Sequence, residues 1–212
     1  MNTSKLALIS IIFFVISNAY ADKDSDNFNY CDVSKVALNN YEPEEFAKTN
    51  NLLRKTGEES MFCGEAVVVY GRVLDQNCVP VSDAKVYAWQ TDCKGKYPYK
   101  PLKEKIVDEE LMGEDSNLTF VGNVTATTNN KGEFHFVTVY PPSMHDFDPH
   151  LNVRVEHFEM ANLQTRLILK GKKVRKPSDD TDLDAISDAA AAKGMGIYKF
   201  EVVLPGITNK EY

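Results

Sequence analysis

The sequence lacks an apolar run long enough to cross a membrane. Its one long run spans residues 6–16, directly after Lys5, whereas a membrane-spanning helix needs about 20 apolar residues. The small-x-small pattern Ala19-Tyr20-Ala21 follows and is typical of a signal-peptidase site. We therefore expect residues 1–21 to be a cleaved signal peptide. The mature chain is then exported, periplasmic or secreted, with no transmembrane span; an uncleaved N-terminal anchor is the alternative.

Positive charge is also scarce. The chain has 24 Lys and Arg against 31 Asp and Glu, which gives a formal net charge of −7 at pH 7. Its one basic stretch, residues 170–176, is followed by an Asp-rich stretch at residues 179–184. Nucleic-acid affinity depends on cationic side chains that neutralise phosphates, so we do not expect a nucleic-acid partner.

The four cysteines form no CxxC pair, which argues against a structural zinc site. An even number of cysteines in an exported chain indicates disulfides. Three pairings are possible. We favour Cys31–Cys63, which would hold the N-terminal segment, together with Cys78–Cys93, which would tie the ends of a hairpin.

After Cys63 the sequence alternates short β-rich runs with turn signals. The runs are residues 65–74, 84–90, 118–127, 133–140, 150–158, 165–169 and 197–204. About seven short strands at this spacing favour a β-sandwich or barrel. We predict an all-β fold, a two-sheet β-sandwich.

The domain organisation follows from these runs. We expect an N-terminal arm over residues 22–62, with a short helix from Pro43 to about Arg54, followed by the sandwich over residues 63–212. Two insertions have helical patterns: Leu102–Met112 is charged and amphipathic, and Ser178–Lys193 is Asp-rich and then Ala-rich.

Residues 71–97 carry the most specific pattern, GRVLDQNCVPVSDAKVYAWQTDCKGKY. It resembles the intradiol ring-cleavage dioxygenases, which open catechols and protocatechuate and share G-x-V-x-D-x-x-G-x-P-V-x-x-A-x-V-x-x-W-Q followed by G-x-Y. Trp89 and Tyr97 keep the family spacing, whereas Cys78 stands where the family has its turn glycine. Residues 120–141 resemble the second block of the family, a hairpin running into a proline-rich loop, and YKFEVVLPG resembles its last strand.

The resemblance implies a ferric iron held by two tyrosines and two histidines. Tyr97 matches the first tyrosine, and His150, in the strand DPHLNVRVEH, matches the first histidine. Met144 stands at the position of the second tyrosine and Asn152 at that of the second histidine. The arginine that guides substrate in the family is absent from residues 147–148.

Ferric iron favours anionic oxygen and imidazole donors, so a thioether and an amide are poor replacements. Tyr140 and His145 are candidate substitute ligands. A set of His145, Asp148 and His150 with Tyr97 would suit ferrous iron, zinc or manganese. The alternative interpretation is a tyrosine packed in a turn beside solvated loop and strand-edge histidines.

By this resemblance we expect an exported dioxygenase that uses non-haem iron and O2 to open a small catechol-type aromatic diol. Tyr97 and His150 would meet in a pocket formed by the two sheets, and a homo-oligomer is compatible with the sequence. The rival hypothesis is a catalytically inactive binding or structural module of the cell envelope, which would contain no iron.

Overall fold

The computed structural model describes residues 30–113, 118–144, 147–170 and 195–207. Seven β-strands lie in this part of the chain. They are β1 (Ala66–Leu74), β2 (Lys85–Trp89), β3 (Asn123–Thr127), β4 (Glu133–Val139), β5 (His150–His157), β6 (Met160–Ile168) and β7 (Gly196–Val203). The all-β prediction is confirmed.

The strands form two sheets. The three-stranded sheet has the order β4-β1-β7, and the four-stranded sheet has the order β3-β2-β5-β6. All neighbours are antiparallel except β1 and β7, which are parallel. This arrangement is the predicted two-sheet β-sandwich.

The hydrophobic core fills the space between the two sheets. Val67 and Val69 of the three-stranded sheet and Leu151 and Val153 of the four-stranded sheet are fully buried in one cluster. Successive side chains of a strand point to opposite faces, so Asn152, between Leu151 and Val153, lies on the outer face of the four-stranded sheet. That outer face is therefore available for a site.

Two turns pass the chain from one sheet to the other, and one of them is the turn of the hairpin expected within residues 120–141. The 129–132 turn forms as expected, with the Gly132 amide donating to the Asn129 carbonyl at 2.9 Å. However, β3 before it and β4 after it belong to different sheets, as do β1 and β2 around the 75–80 turn. The prediction of a hairpin around residues 129–132 is wrong, because turn chemistry fixes a reversal of direction and not the partner of the next strand.

The helix predicted from Pro43 to Arg54 is also wrong. This segment is extended and pairs with the sandwich: Ala47 forms a bridge with Val124, and Asn51 forms one with Val137. The Asn51 carboxamide oxygen accepts a hydrogen bond from the Leu53 amide at 2.9 Å, a local bond that competes with helix formation. Leu52, fully buried, fastens the segment to the core.

The insertion at Leu102–Met112 contains two short 3₁₀ turns, Glu104–Ile106 and Glu109–Leu111, in place of the predicted helix. Extended backbone at Val107 separates them. The predicted helix Ser178–Lys193 and the predicted signal peptide lie outside the described residues. Within the described ranges, no helix has the length and apolar character needed to cross a membrane.

The favoured disulfide pairing is wrong, although all four cysteines are paired as expected. The bonds are Cys31–Cys78 and Cys63–Cys93. The first ties the arm to the 75–80 turn, where Cys78 lies. The Cys31 amide adds a second link by donating to the Gln76 carbonyl at 2.9 Å. The second ties the end of the arm to the loop after β2. Each bond joins segments that meet only in the folded sandwich.

Candidate active site

The candidate site lies on the outer face of the four-stranded sheet. Strand register places Trp89 of β2 opposite Asn152 of β5, and Asn152 opposite Arg166 of β6. Residues directly opposite one another in a sheet share a face, so these three side chains form one row. His150, two residues before Asn152, shares that face. Tyr97 lies beside Asn152. We call these four residues, Tyr97, His150, Asn152 and Arg166, the outer-face cluster.

We expected Tyr97 and His150 to meet in a pocket formed by the two sheets, and that location is wrong. The space between the sheets is filled by apolar side chains, among them Leu151 and Val153. The N-terminal arm, not the second sheet, covers the cluster. Its residues Leu38 and Asn39 hydrogen-bond to Arg166 and Tyr97 respectively.

Tyr97 is held by the loop that follows β2. The Asp92 carboxylate accepts hydrogen bonds from the amides of Lys94 at 2.8 Å and Lys96 at 2.9 Å, which shapes the turn before the tyrosine. The Tyr97 amide then donates to the Leu111 carbonyl at 2.8 Å. The ring is 2% exposed and stacks on Tyr41 of the arm, with centroids 4.8 Å apart.

Asn39 of the arm orients the Tyr97 phenol. Its side-chain oxygen accepts from the Tyr41 amide at 2.7 Å and from the Trp89 indole N–H at 3.3 Å. The side-chain NH₂ is thereby directed to the Tyr97 oxygen, at 3.5 Å. Burial raises the pKa of Tyr97, although hydrogen bonds from Asn39 and Asn152 and the charge of Arg166 offset part of that effect. The phenol is therefore protonated at neutral pH.

His150 has the orientation of a metal ligand. Its Nδ1 lies 2.7 Å from the Asp148 backbone carbonyl, which can only accept, so Nδ1 carries the proton and Nε2 keeps its lone pair. Histidines that bind metals are commonly held in this way. Burial lowers the pKa of His150, and the nearby Arg166 charge lowers it further, so the ring is neutral at pH 7.

Asn152 presents a buried oxygen to the cluster. The side chain is 1% exposed, and its NH₂ donates to the Trp89 carbonyl at 3.3 Å. Its Oδ1 has no hydrogen-bond partner in the described part of the chain. A buried polar atom without a partner costs free energy of about 1–3 kcal/mol, which points to a ligand at this position.

Arg166 brings positive charge to the same face. Its guanidinium lies 4.3 Å above the centroid of the Phe147 ring, and that ring lies edge-on to His150 at 6.0 Å. Nη2 donates to the Leu38 carbonyl at 2.9 Å. The sequence interpretation missed both Arg166 and Asn39. Strand alternation could have placed Arg166 on the face of Asn152 only once the pairing of β5 with β6 was known.

Within the described residues, the structure does not bring the other candidate ligands into the outer-face cluster. The Tyr140 hydroxyl donates to the Leu169 carbonyl at 3.2 Å and its ring packs on Tyr198, so these contacts belong to the core side. Met144 and Phe147 exchange two backbone hydrogen bonds, and His145 lies outside the described residues. The Asp148 carboxylate pairs with Lys170. No group of three or more His, Cys, Asp or Glu side chains converges among the residues described.

Comparison with known proteins places this chain in a family. A family model described as Dioxygenase matches residues 40–172. A protein of Rickettsia bellii named "Putative dioxygenase" is 42% identical over 207 residues, which cover 98% of this chain and 96% of the relative. The protocatechuate 3,4-dioxygenase beta chain of Burkholderia cepacia is 36% identical over 78 residues, which cover 37% of this chain and 30% of that one.

A solved structure has the same fold. The intradiol ring-cleavage dioxygenase from Tetranychus urticae aligns with a TM-score of 0.57 and 17% sequence identity, covering 85% of this chain and 98% of that chain. With the family match over most of the sandwich, the motif around Tyr97 and the two-sheet architecture, the relationship is shown: this chain belongs to the intradiol ring-cleavage dioxygenase family.

Proposed function

We propose that this protein is an exported dioxygenase that opens the ring of a catechol-type aromatic diol with O2 at a non-haem iron, with Tyr97 and His150 among the metal ligands. Family membership supports the reaction class. The observation that carries the proposal for the site is the orientation of His150. Its Nδ1 proton is engaged by the Asp148 carbonyl, which leaves the Nε2 lone pair available to a metal. Asn152, on the same sheet face, has an amide oxygen without a partner among the described residues.

The residues present fit an iron ion, although less tightly than two tyrosines and two histidines would. The Tyr97 oxygen, once deprotonated, and the His150 Nε2 are donors of the kind that iron favours, whereas the Asn152 Oδ1 would add only a weak, neutral oxygen donor. The unpaired Asn152 Oδ1 is the local sign that a partner belongs there. Iron, when bound, would supply a Lewis acid and a template for the diol and O2.

The chain's own residues would prepare this chemistry. The Asp148 carbonyl fixes the His150 ring, and Asn39 fixes the Tyr97 phenol. Tyr97 must lose its proton before the phenol can act as an anionic donor. Burial raises the pKa of Tyr97 and opposes that loss, whereas the hydrogen bonds from Asn39 and Asn152 favour it. Trp89, fully buried, and the arm exclude water from one side of the cluster.

Metal content and turnover test the proposal. We expect the full chain, expressed with its leader and purified from the periplasm, to carry iron, to consume O2 with a catechol-type diol and to form a ring-opened diacid. Tyr97→Phe and His150→Gln should each lower iron affinity at least tenfold, because each removes a direct ligand. Their unfolding free energies should change by only about 1–2 kcal/mol.

Matched variants control for structural damage. Tyr140→Phe removes a hydroxyl bonded to the Leu169 carbonyl, and His157→Gln alters a second histidine that is 8% exposed like His150. Both should keep iron, and iron loss in Tyr140→Phe would instead assign Tyr140 as a ligand. A folded, colourless chain without iron that consumes no O2 would contradict the proposal and favour the inactive binding module.

Export is part of the same proposal. Two disulfides and no free cysteine among the described residues suit an oxidising compartment. We expect the mature protein to begin at Asp22 and to be recovered from the periplasm or the medium. N-terminal sequencing of the purified protein checks this, and an intact residue 1 in a cytoplasmic fraction would contradict it.

A further inference from the structure

Arg166 and Phe147 form a cation–aromatic pair at the open side of the outer-face cluster. The guanidinium lies 4.3 Å from the Phe147 centroid, and Phe147 is 47% exposed. The same ring contacts His150 edge-on, with centroids 6.0 Å apart. Arg166 also lies directly opposite Asn152 in the strand register. The pair therefore connects solvent to the residues that would hold the metal.

The charge of Arg166 is not neutralised by a carboxylate within the described ranges. Its one hydrogen bond goes to the neutral carbonyl of Leu38, and its buried Nε has no partner there. The nearby Asp148 carboxylate is taken up by Lys170. Arg166 therefore keeps both its charge and its donor capacity for a ligand.

Arg154, on the same sheet face, is an arginine whose charge is neutralised by carboxylates, and it serves as a comparison for Arg166. Its guanidinium also lies over an aromatic ring, 4.1 Å from the Tyr87 centroid. It is neutralised by Glu42, with Nε 2.8 Å from the carboxylate oxygen, and by Glu156. Two arginines of one sheet face thus make the same aromatic contact, but only Arg154 has acidic partners in the described structure. The difference argues that the unpaired charge at 166 serves a ligand.

We propose that Arg166 is a specificity-determining residue that binds a carboxylate on an aromatic ligand of the outer-face cluster, so that the site prefers anionic over neutral aromatic diols. A planar guanidinium matches a carboxylate through two parallel hydrogen bonds, and it remains charged at all relevant pH values. The exposed Phe147 ring offers an apolar surface against which the aromatic part of the ligand can pack. This inference rests on the proposed function only in taking the cluster as the ligand site, and it does not require iron.

Calorimetric titration of the full chain tests the proposal, in iron-loaded and in iron-free protein. The probes are 3,4-dihydroxybenzoate, which is anionic, catechol, which is neutral, and benzoate, which is anionic but cannot chelate. We expect 3,4-dihydroxybenzoate to bind about tenfold or more tightly than catechol, and benzoate to compete with it. Arg166→Met should abolish the preference, and Arg166→Lys should keep part of it because the charge remains without the planar fork.

The matched control is Arg154→Met, which removes a guanidinium from the same sheet face and should leave the preference intact. Equal affinity for catechol and 3,4-dihydroxybenzoate in the native chain, no competition by benzoate, or a preference retained in Arg166→Met would each overturn the proposal. An anion preference without turnover would support the role of Arg166 and refute the proposed function. Turnover without an anion preference would support the proposed function and refute the role of Arg166.

Discussion

Cys78 shows how one residue can combine two structural demands. Its backbone is left-handed, with φ of 62°, a conformation that glycine adopts without strain and other residues adopt at a cost. The turn is fixed by the buried Asp75, whose carboxylate accepts from the amides of Asn77 and Val79, each at 2.9 Å. Unlike a glycine, the cysteine at this position bonds the turn to Cys31 of the arm.

Separating the two demands gives a prediction. In a background with Cys31→Ser, the variant Cys78→Gly should be more stable than Cys78→Ser by about 1 kcal/mol, because glycine relieves the left-handed backbone while both lose the disulfide. Both should be less stable than the native chain by about 2–4 kcal/mol. Urea unfolding monitored by circular dichroism measures these differences. Equal stability of the glycine and serine variants would contradict the strain argument.

At the same scale, sequence patterns point to two residues of the outer-face cluster. Tyr97 and His150 were predicted from a motif, and the structure places both beside Arg166. Asn39 could not be predicted, because it lies 58 residues from Tyr97 in the sequence and contacts it only after the arm folds back. The metal role of Tyr97 and His150 stays a prediction.

The arm is the element that departs most from the sequence expectation. Pro43, Glu44 and Glu45 are typical of a helix start, yet the segment is extended because its amides find partners on strands. The Ala47 amide donates to the Asn123 carbonyl at 3.3 Å, and the Leu52 amide to the Val137 carbonyl at 2.8 Å. Local propensity predicts what a segment prefers alone, whereas these bonds come from residues far away in sequence.

Asn39 links the arm to the site, and Trp89, the one tryptophan of the chain, reports on that link. Asn39→Ala should remove the acceptor of the Trp89 indole N–H and the donor to Tyr97. We expect a loss of about 1–2 kcal/mol in unfolding free energy and a red shift of tryptophan emission as water reaches the indole. Asn162→Ala, an exposed position on the same sheet, is the control, with an effect below about 0.5 kcal/mol. An unchanged emission spectrum in Asn39→Ala would show that the arm does not seal the indole.

For the molecule as a whole, strand number and fold class were predictable and sheet membership was not. Alternating apolar residues identify strands such as β5 and β7, because burial of one face imposes a period of two. The assignment of β1 and β2 to different sheets depends on how turns cross between layers, which no local pattern encodes. The disulfide pairing was wrong for the same reason, since Cys31 meets Cys78 only when the arm crosses the sandwich.

The stability of the whole sandwich should fall as the medium becomes acidic, because two histidines are held neutral by burial. Burial lowers the pKa values of His135 and His150 below the ordinary value of 6.5. The unfolded chain therefore takes up protons at a higher pH than the folded chain does. The unfolding free energy should then decrease as pH falls below 6.5, with a slope of at most about 1.4 kcal/mol per pH unit for each histidine.

Urea titrations of the iron-free protein between pH 7.5 and pH 5 measure that slope, a range chosen to lie above the ordinary carboxylate region of about pH 4. His135→Gln tests one of the two contributions away from the proposed metal ligands, since the His135 ring contacts Asn50 of the arm. The variant should unfold with a smaller pH slope than the native chain, and combining it with His150→Gln should flatten the slope further. A slope unchanged by both substitutions would assign the acid sensitivity to other groups, because a histidine can couple protonation to unfolding only when its pKa differs between the two states.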